Sequence, residues 1–135
     1  MLKITRDIID DIISHGKIEM PLEACGYLAE KNGVVCKSIA MKNVDASTVH
    51  YSMDPKEQFA AVRNCRAAGL TLRAVYHTHP ETEAYPSPED IKLAYDPDLS
   101  YVIVSLAESK PAIHSFTINK DGVFQEQIEI IGAEK

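Results

Sequence analysis

Two histidines one residue apart, His77 and His79, are followed eleven residues after the second by Asp90. The run Leu70–Tyr76 in front of them reads as a strand that ends at the loop opened by Pro80. Alternate strand residues share a face, so His77 and His79 project together while Thr78 points away. Downstream, Ser87-Pro88-Glu89-Asp90 reads as a helix start. Ser87 is the N-cap, Pro88 takes the first helical position, and Asp90 complements the positive helix end. Such a start accounts for Ser87 and Asp90 alone, but not for the paired histidines just upstream. The two readings are compatible, because a helix N-terminus keeps Asp90 ionised and therefore fit to bind a cation. Two imidazoles and a carboxylate make a three-ligand zinc set, one Zn2+ per chain. Three protein ligands leave a fourth position for water, which is how catalytic zinc sites differ from closed structural ones.

The elements that must position these residues follow from periodicity and turn chemistry. Ile8, Ile9, Ile12 and Ile13 recur at helical spacing after a Thr5 cap, and Gly16 is expected to end the regular part. Gly26–Glu30 and Val34–Ala40 read as two strands joined across Lys31-Asn32-Gly33. Thr48–Met53 reads as a further short strand. Asp54-Pro55-Lys56-Glu57 opens a helix carrying Phe59, Val62, Arg63 and Arg66, and Gly69 stops it before the histidine strand. The helix begun at Ser87 is expected to continue through Ile91–Tyr95 until Asp96-Pro97 breaks it. Tyr101–Leu106 is apolar enough for a buried central strand. Ala112–Ile118 and Val123–Ile131 are expected to pair through Asn119-Lys120-Asp121-Gly122. The result is an α/β (α+β) chain with a mixed, largely antiparallel sheet flanked by helices. No repeat or linker interrupts residues 1–135, which read as a single domain.

Composition narrows the function classes. A chain of 135 residues can bury a sizeable core without staples. Its net charge of -6 argues against nucleic acid as a partner. No apolar run long enough to span a membrane and no basic-then-apolar leader are visible, so membrane association is not expected. Cys25, Cys36 and Cys65 lack Cys-x-x-Cys spacing, which disfavours a disulfide framework or a zinc knuckle. They read as buried thiols in a reducing cytoplasm, the expected location.

The string His77-Thr78-His79-Pro80…Pro86-Ser87-Pro88-Glu89-Asp90 resembles the signature of the JAMM (MPN+) metalloproteases, and in particular their compact prokaryotic members. The family's upstream Pro-x-Glu-x-Cys-Gly run is matched by Pro21-Leu22-Glu23-Ala24-Cys25-Gly26. The resemblance implies the MPN architecture, which is cytidine-deaminase-like. It implies His77, His79 and Asp90 as zinc ligands, Glu23 as general acid/base and Ser87 as the group that hydrogen-bonds the water and the reacting oxygen. Spacing alone does not separate Glu23 from Glu19 or Glu30. The chemistry is coherent: zinc makes a nucleophile available at neutral pH, and an amide nitrogen leaves only when a shuttle protonates it.

The same resemblance implies hydrolysis of the amide bond after the C-terminal Gly-Gly of a ubiquitin-like sulfur carrier protein, with an extended tail pairing along a strand edge. Other functions compete for these residues. A zinc deaminase needs Cys-x-x-Cys and a zincin needs His-Glu-x-x-His, and neither is present. A non-catalytic MPN-type binding module and a less selective zinc peptidase remain open, as does self-association as a homodimer. His15, His50 and His114 read as surface or core histidines. The acidic loop Glu81-Thr82-Glu83 departs from the Gly-containing loop common in the family, which leaves its conformation open.

Overall fold

A computed structural model describes residues 1–132. The elements run β1 (Leu2–Thr5), α1 (Arg6–Glu19), β2 (Cys25–Lys31), β3 (Val34–Met41), α2 (Pro55–Ala67), β4 (Thr71–His79), α3 (Pro88–Lys92), β5 (Ser100–Ser105), β6 (Ala112–Asn119), β7 (Gly122–Glu126) and β8 (Ile128–Ile131). The strands form one eight-stranded sheet in the order β7-β6-β5-β4-β2-β3-β1-β8. Four neighbouring pairs are antiparallel, while β4/β5, β1/β3 and β1/β8 are parallel. The expected mixed, largely antiparallel sheet with flanking helices is therefore present.

Strand alternation divides the core into two layers. Leu28, Ala74, Tyr76, Val102 and Val104 face Ile8, Ile9 and Ile12 of α1. Tyr27, Val75, Tyr101, Ile103 and Phe116 face the other way, toward Ala61 of α2. β5 is buried along its whole length, as a strand covered on both faces must be. Only Gln127 separates the edge strands β7 and β8, so the sheet curls until its two ends approach.

Local chemistry sets several boundaries as expected. Asn32 and Gly33 both adopt positive φ, 54° and 81°, which is what a two-residue hairpin turn with the twist of its strands requires. Asp54 caps α2 by accepting from Glu57 N–H at 3.1 Å, with Pro55 in the first turn.

Five expectations are corrected. Cys25 and Cys65 are buried thiols, but Cys36 is exposed on β3. α1 does not end at Gly16 but runs through it to Glu19; Gly16 is buried where a Cβ would lie 2.7 Å from Thr78 Cγ2, so glycine serves close packing there. Thr48–Met53 forms no strand, because its backbone groups are bound by the side chain of Asn43. α3 stops at Lys92, before Tyr95. Val123–Ile131 is two strands, and only β7 pairs with β6; β8 crosses to the opposite edge and pairs with β1, Leu2 against Ile128. β1 itself was not anticipated.

Gly26 makes the tightest approach to the sheet. A Cβ there would fall 2.4 Å from both Ile39 O and Tyr76 Cε2. Backbone and a fully buried ring give way poorly, so Gly26→Ala should cost on the order of 3 kcal/mol. A fall in melting temperature of roughly 10 °C should follow, read by thermal unfolding. An unchanged Tm would refute this packing.

Candidate metal and catalytic site

β4 delivers His77 and His79 to the α2 side of the sheet, 2% and 3% exposed, and Thr78 to the α1 side. His77 Nε2 and His79 Nε2 lie 3.0 Å apart, and each is 3.1 Å from Asp90 Oδ2. These are the only His, Cys, Asp or Glu side chains among the described residues that converge as a group of three or more suited to a cation.

The short helix α3 aims Asp90 through a reciprocal cap. Ser87 N–H donates to Asp90 Oδ2 at 2.9 Å, and Asp90 N–H donates to Ser87 Oγ at 3.1 Å. Burial disfavours the Asp90 carboxylate, but hydrogen bonds with His77 and His79 and from Ser87 N–H outweigh it and hold the group well below the usual carboxylate range.

The donor geometry suits a cation. His79 Nδ1 lies 2.8 Å from Glu83 O, a carbonyl that can only accept, so Nδ1 carries a proton. Nε2 is then either a bare lone pair or a second N–H aimed at Asp90. Burial opposes charge on His79, yet Asp90 and the Glu83 carbonyl raise its pKa, while burial lowers that of His77. One proton cannot serve two ring nitrogens and a carboxylate at once. A divalent cation satisfies all three, and the carbonyl behind His79 is the outer partner that orients a metal-binding imidazole. His77 Nδ1 is buried without a hydrogen-bond partner, and the Tyr51 ring lies against the imidazole, centroids 4.7 Å apart.

Glu23 lies in the irregular stretch between α1 and β2, 3% exposed, with Oε1 buried and unpartnered. Burial pushes its pKa up to about 8; the charge on His79 works against this, and Asp90 and Glu89 reinforce it. The pairing of Cys25 with His77 and of Ala24 with Thr78 places Glu23 next to the strand that carries both histidines. The alternatives sit elsewhere: Glu30 pairs with Arg73 at 3.7 Å, and Glu19 is half-buried in the last turn of α1.

Thr78 proves to be more than a spacer. Its Oγ1 accepts from Ala24 N–H at 2.8 Å and its N–H donates to Ala24 O at 3.0 Å, so the strand bearing both histidines grips the residue next to Glu23. Thr78, Tyr51 and Asn43 carry no sequence signal for such roles. The Glu81–Tyr85 loop is fixed by His79, by Ser105 Oγ donating to Thr82 O at 2.6 Å, and by Tyr85 packed edge-on against Phe116. His15 hydrogen-bonds the Tyr76 hydroxyl, His50 faces Asp45 and His114 contacts Gln125. Cys25, though adjacent, is fully buried, and burial pushes its thiol up to about 12, which disfavours the thiolate. A cleft of about 380 Å³ opens beside His77 and Asp90, floored by Tyr27, Val75, Tyr101 and Ile103.

Residues 5–119 match the family model of prokaryotic homologs of the JAB domain. The chain is 34% identical over 134 residues to the CysO-cysteine peptidase of Mycobacterium tuberculosis, spanning 97% of this chain and 92% of that one. It is 31% identical over 123 residues to the desampylase of Haloferax volcanii, spanning 86% and 88%. The solution structure of protein DSY2949 from Desulfitobacterium hafniense superposes with a TM-score of 0.91 at 40% identity, covering 98% of this chain and 94% of that one.

Proposed function

Because this chain belongs to the prokaryotic JAB-domain family of JAMM/MPN metalloproteases, we propose that it hydrolyses the amide bond after the C-terminal Gly-Gly of a ubiquitin-like carrier protein, using zinc held by His77, His79 and Asp90, with residues 1–135 acting as one domain. The chain is a hydrolase of the JAMM type. One observation carries the reading: two Nε2 atoms and a carboxylate oxygen converge within 3.1 Å of one another beside a buried carboxyl that has no partner for Oε1.

Zinc bound there supplies Lewis acidity toward water and the scissile carbonyl, and its charge favours the ionised form of Glu23. The Glu23 carboxylate takes a proton from the attacking water as the water oxygen bonds to the carbonyl carbon. It then delivers that proton to the amide nitrogen, so that the C–N bond breaks to a carboxylic acid and an amine. Ser87 Oγ already accepts from Asp90 N–H, which leaves its own hydrogen to donate to the oxyanion. The cleft next to His77 and Asp90 offers an apolar floor against which substrate can lie.

The mycobacterial relative is named for a CysO-cysteine substrate, which supports a carrier bearing one further residue beyond its end. Glycines suit a narrow approach because they let the backbone come close. Replacing the carrier's last glycine with leucine should lower cleavage by at least about 100-fold, measured by mass spectrometry of the products, while casein fragments stay intact. Efficient turnover of the leucine variant or of casein would leave only an unselective peptidase.

A further inference from the structure

The irregular segment 42–54, between β3 and α2, is organised around one buried side chain, Asn43, which is 9% exposed. Its Nδ2 donates to Glu23 O at 3.0 Å, to His50 O at 3.0 Å and, more loosely, to Ser47 O at 3.4 Å. Its Oδ1 accepts from Asp45 N–H and Ser52 N–H, both at 3.2 Å. Ser47 O in turn accepts from Glu23 N–H at 2.9 Å. Both backbone groups of Glu23 are therefore held by this segment, the carbonyl by Asn43 itself and the N–H by a carbonyl that Asn43 also binds. His50 O and Ser52 N–H flank Tyr51, so the same amide fixes the ring that lies on His77.

Glu23 needs such a clamp, because no helix or strand ladder orders it and Oε1 has no partner that would anchor the side chain from its tip. The burial of Asn43 is hard to account for otherwise. A buried amide is expensive unless its donors and acceptor are all used, and here they are spent on turning one loop against one residue.

We propose that Asn43 is a positioning residue for Glu23: it does not touch substrate, but sets the backbone from which the Glu23 carboxyl reaches the reacting atoms. The inference rests on the role assigned to Glu23 under the proposed function. A carboxyl displaced by an ångström loses its proton-transfer geometry without losing its chemistry.

The test is a double-mutant cycle on the zinc-saturated full chain, with cleavage of a Gly-Gly-extended carrier as the readout. Asn43→Ala should lower kcat by roughly 30-fold or more, with KM changed less than threefold and zinc content unchanged. In a Glu23→Gln background, Asn43→Ala should lower the residual rate by less than twofold, because what it positions is already gone. Asp54→Ala, which removes the α2 cap, provides a comparison of lowered Tm without contact with Glu23, and its kcat should stay near wild type. If Asn43→Ala does not fold cooperatively, Asn43→Ser replaces it in the same cycle. Equal losses in both backgrounds, or a kcat for Asp54→Ala as low as that for Asn43→Ala, would overturn the positioning role and leave Glu23 in place. A Glu23→Gln protein as active as wild type would instead remove the proposed chemistry itself.

Discussion

Glu23→Gln should retain the fold and its zinc but lose carrier cleavage by roughly 100-fold to 10,000-fold, the range that a positioned acid/base contributes. The change keeps volume and shape at a site that is 3% exposed, so packing is little disturbed. Without metal, burial pushes the carboxyl up to about 8, so keeping it ionised at neutral pH costs stability, and an uncharged amide carries no such ionisation cost. The substituted protein should therefore be at least as stable as wild type to heat. Inactivity without instability is the signature of a residue kept for chemistry at some cost to stability. Carrier-cleavage kinetics beside thermal unfolding would decide it; a rate within a few-fold of wild type would mean that the shuttle is not Glu23.

His77→Ala/His79→Ala should reduce bound zinc from about one per chain to near zero and lower cleavage at least about 1,000-fold. The pair also removes both imidazoles that face Asp90 Oδ2 at 3.1 Å, leaving a carboxylate nearly buried with only the Ser87 N–H. A ligand that binds only the folded state stabilises it by about 2.7 kcal/mol at a hundredfold excess over Kd. Wild-type Tm should therefore rise with added zinc and fall with chelator, while the double variant should respond to neither. Equal zinc in the two proteins would place the metal somewhere other than His77, His79 and Asp90.

The ligand set could be read from the sequence because each of its rules acts over a short span. Strand alternation pairs His77 with His79, and a cap three residues long aims Asp90. Glu23 was accessible only through family resemblance. Its place beside β4 depends on Cys25 pairing with His77 and on Thr78 binding Ala24, contacts more than fifty residues apart in the chain. Strand β1 and the edge strand β8 were illegible or misassigned for the same reason. Each is four residues long, and Leu2 meets Ile128 only after the sheet has curled. Thr48–Met53 buries Met53 and part of Tyr51 but leaves Val49 exposed, and its backbone groups go to Asn43 instead of a neighbouring strand. A single buried asparagine gives no periodic signal, so nothing in the sequence marks it as the centre of a loop.

The most direct measurement is mass spectrometry of a ubiquitin-like carrier extended by one cysteine beyond its Gly-Gly end. The carrier is incubated with protein stripped by chelator and, in parallel, with the same protein after one equivalent of zinc is restored. Cleavage only by the restored protein, leaving the carrier ending in Gly-Gly with its cysteine released, is the predicted result. Equal cleavage by stripped and restored protein, or none by the restored protein on any Gly-Gly carrier, would contradict a zinc-dependent hydrolase built on His77, His79, Asp90 and Glu23.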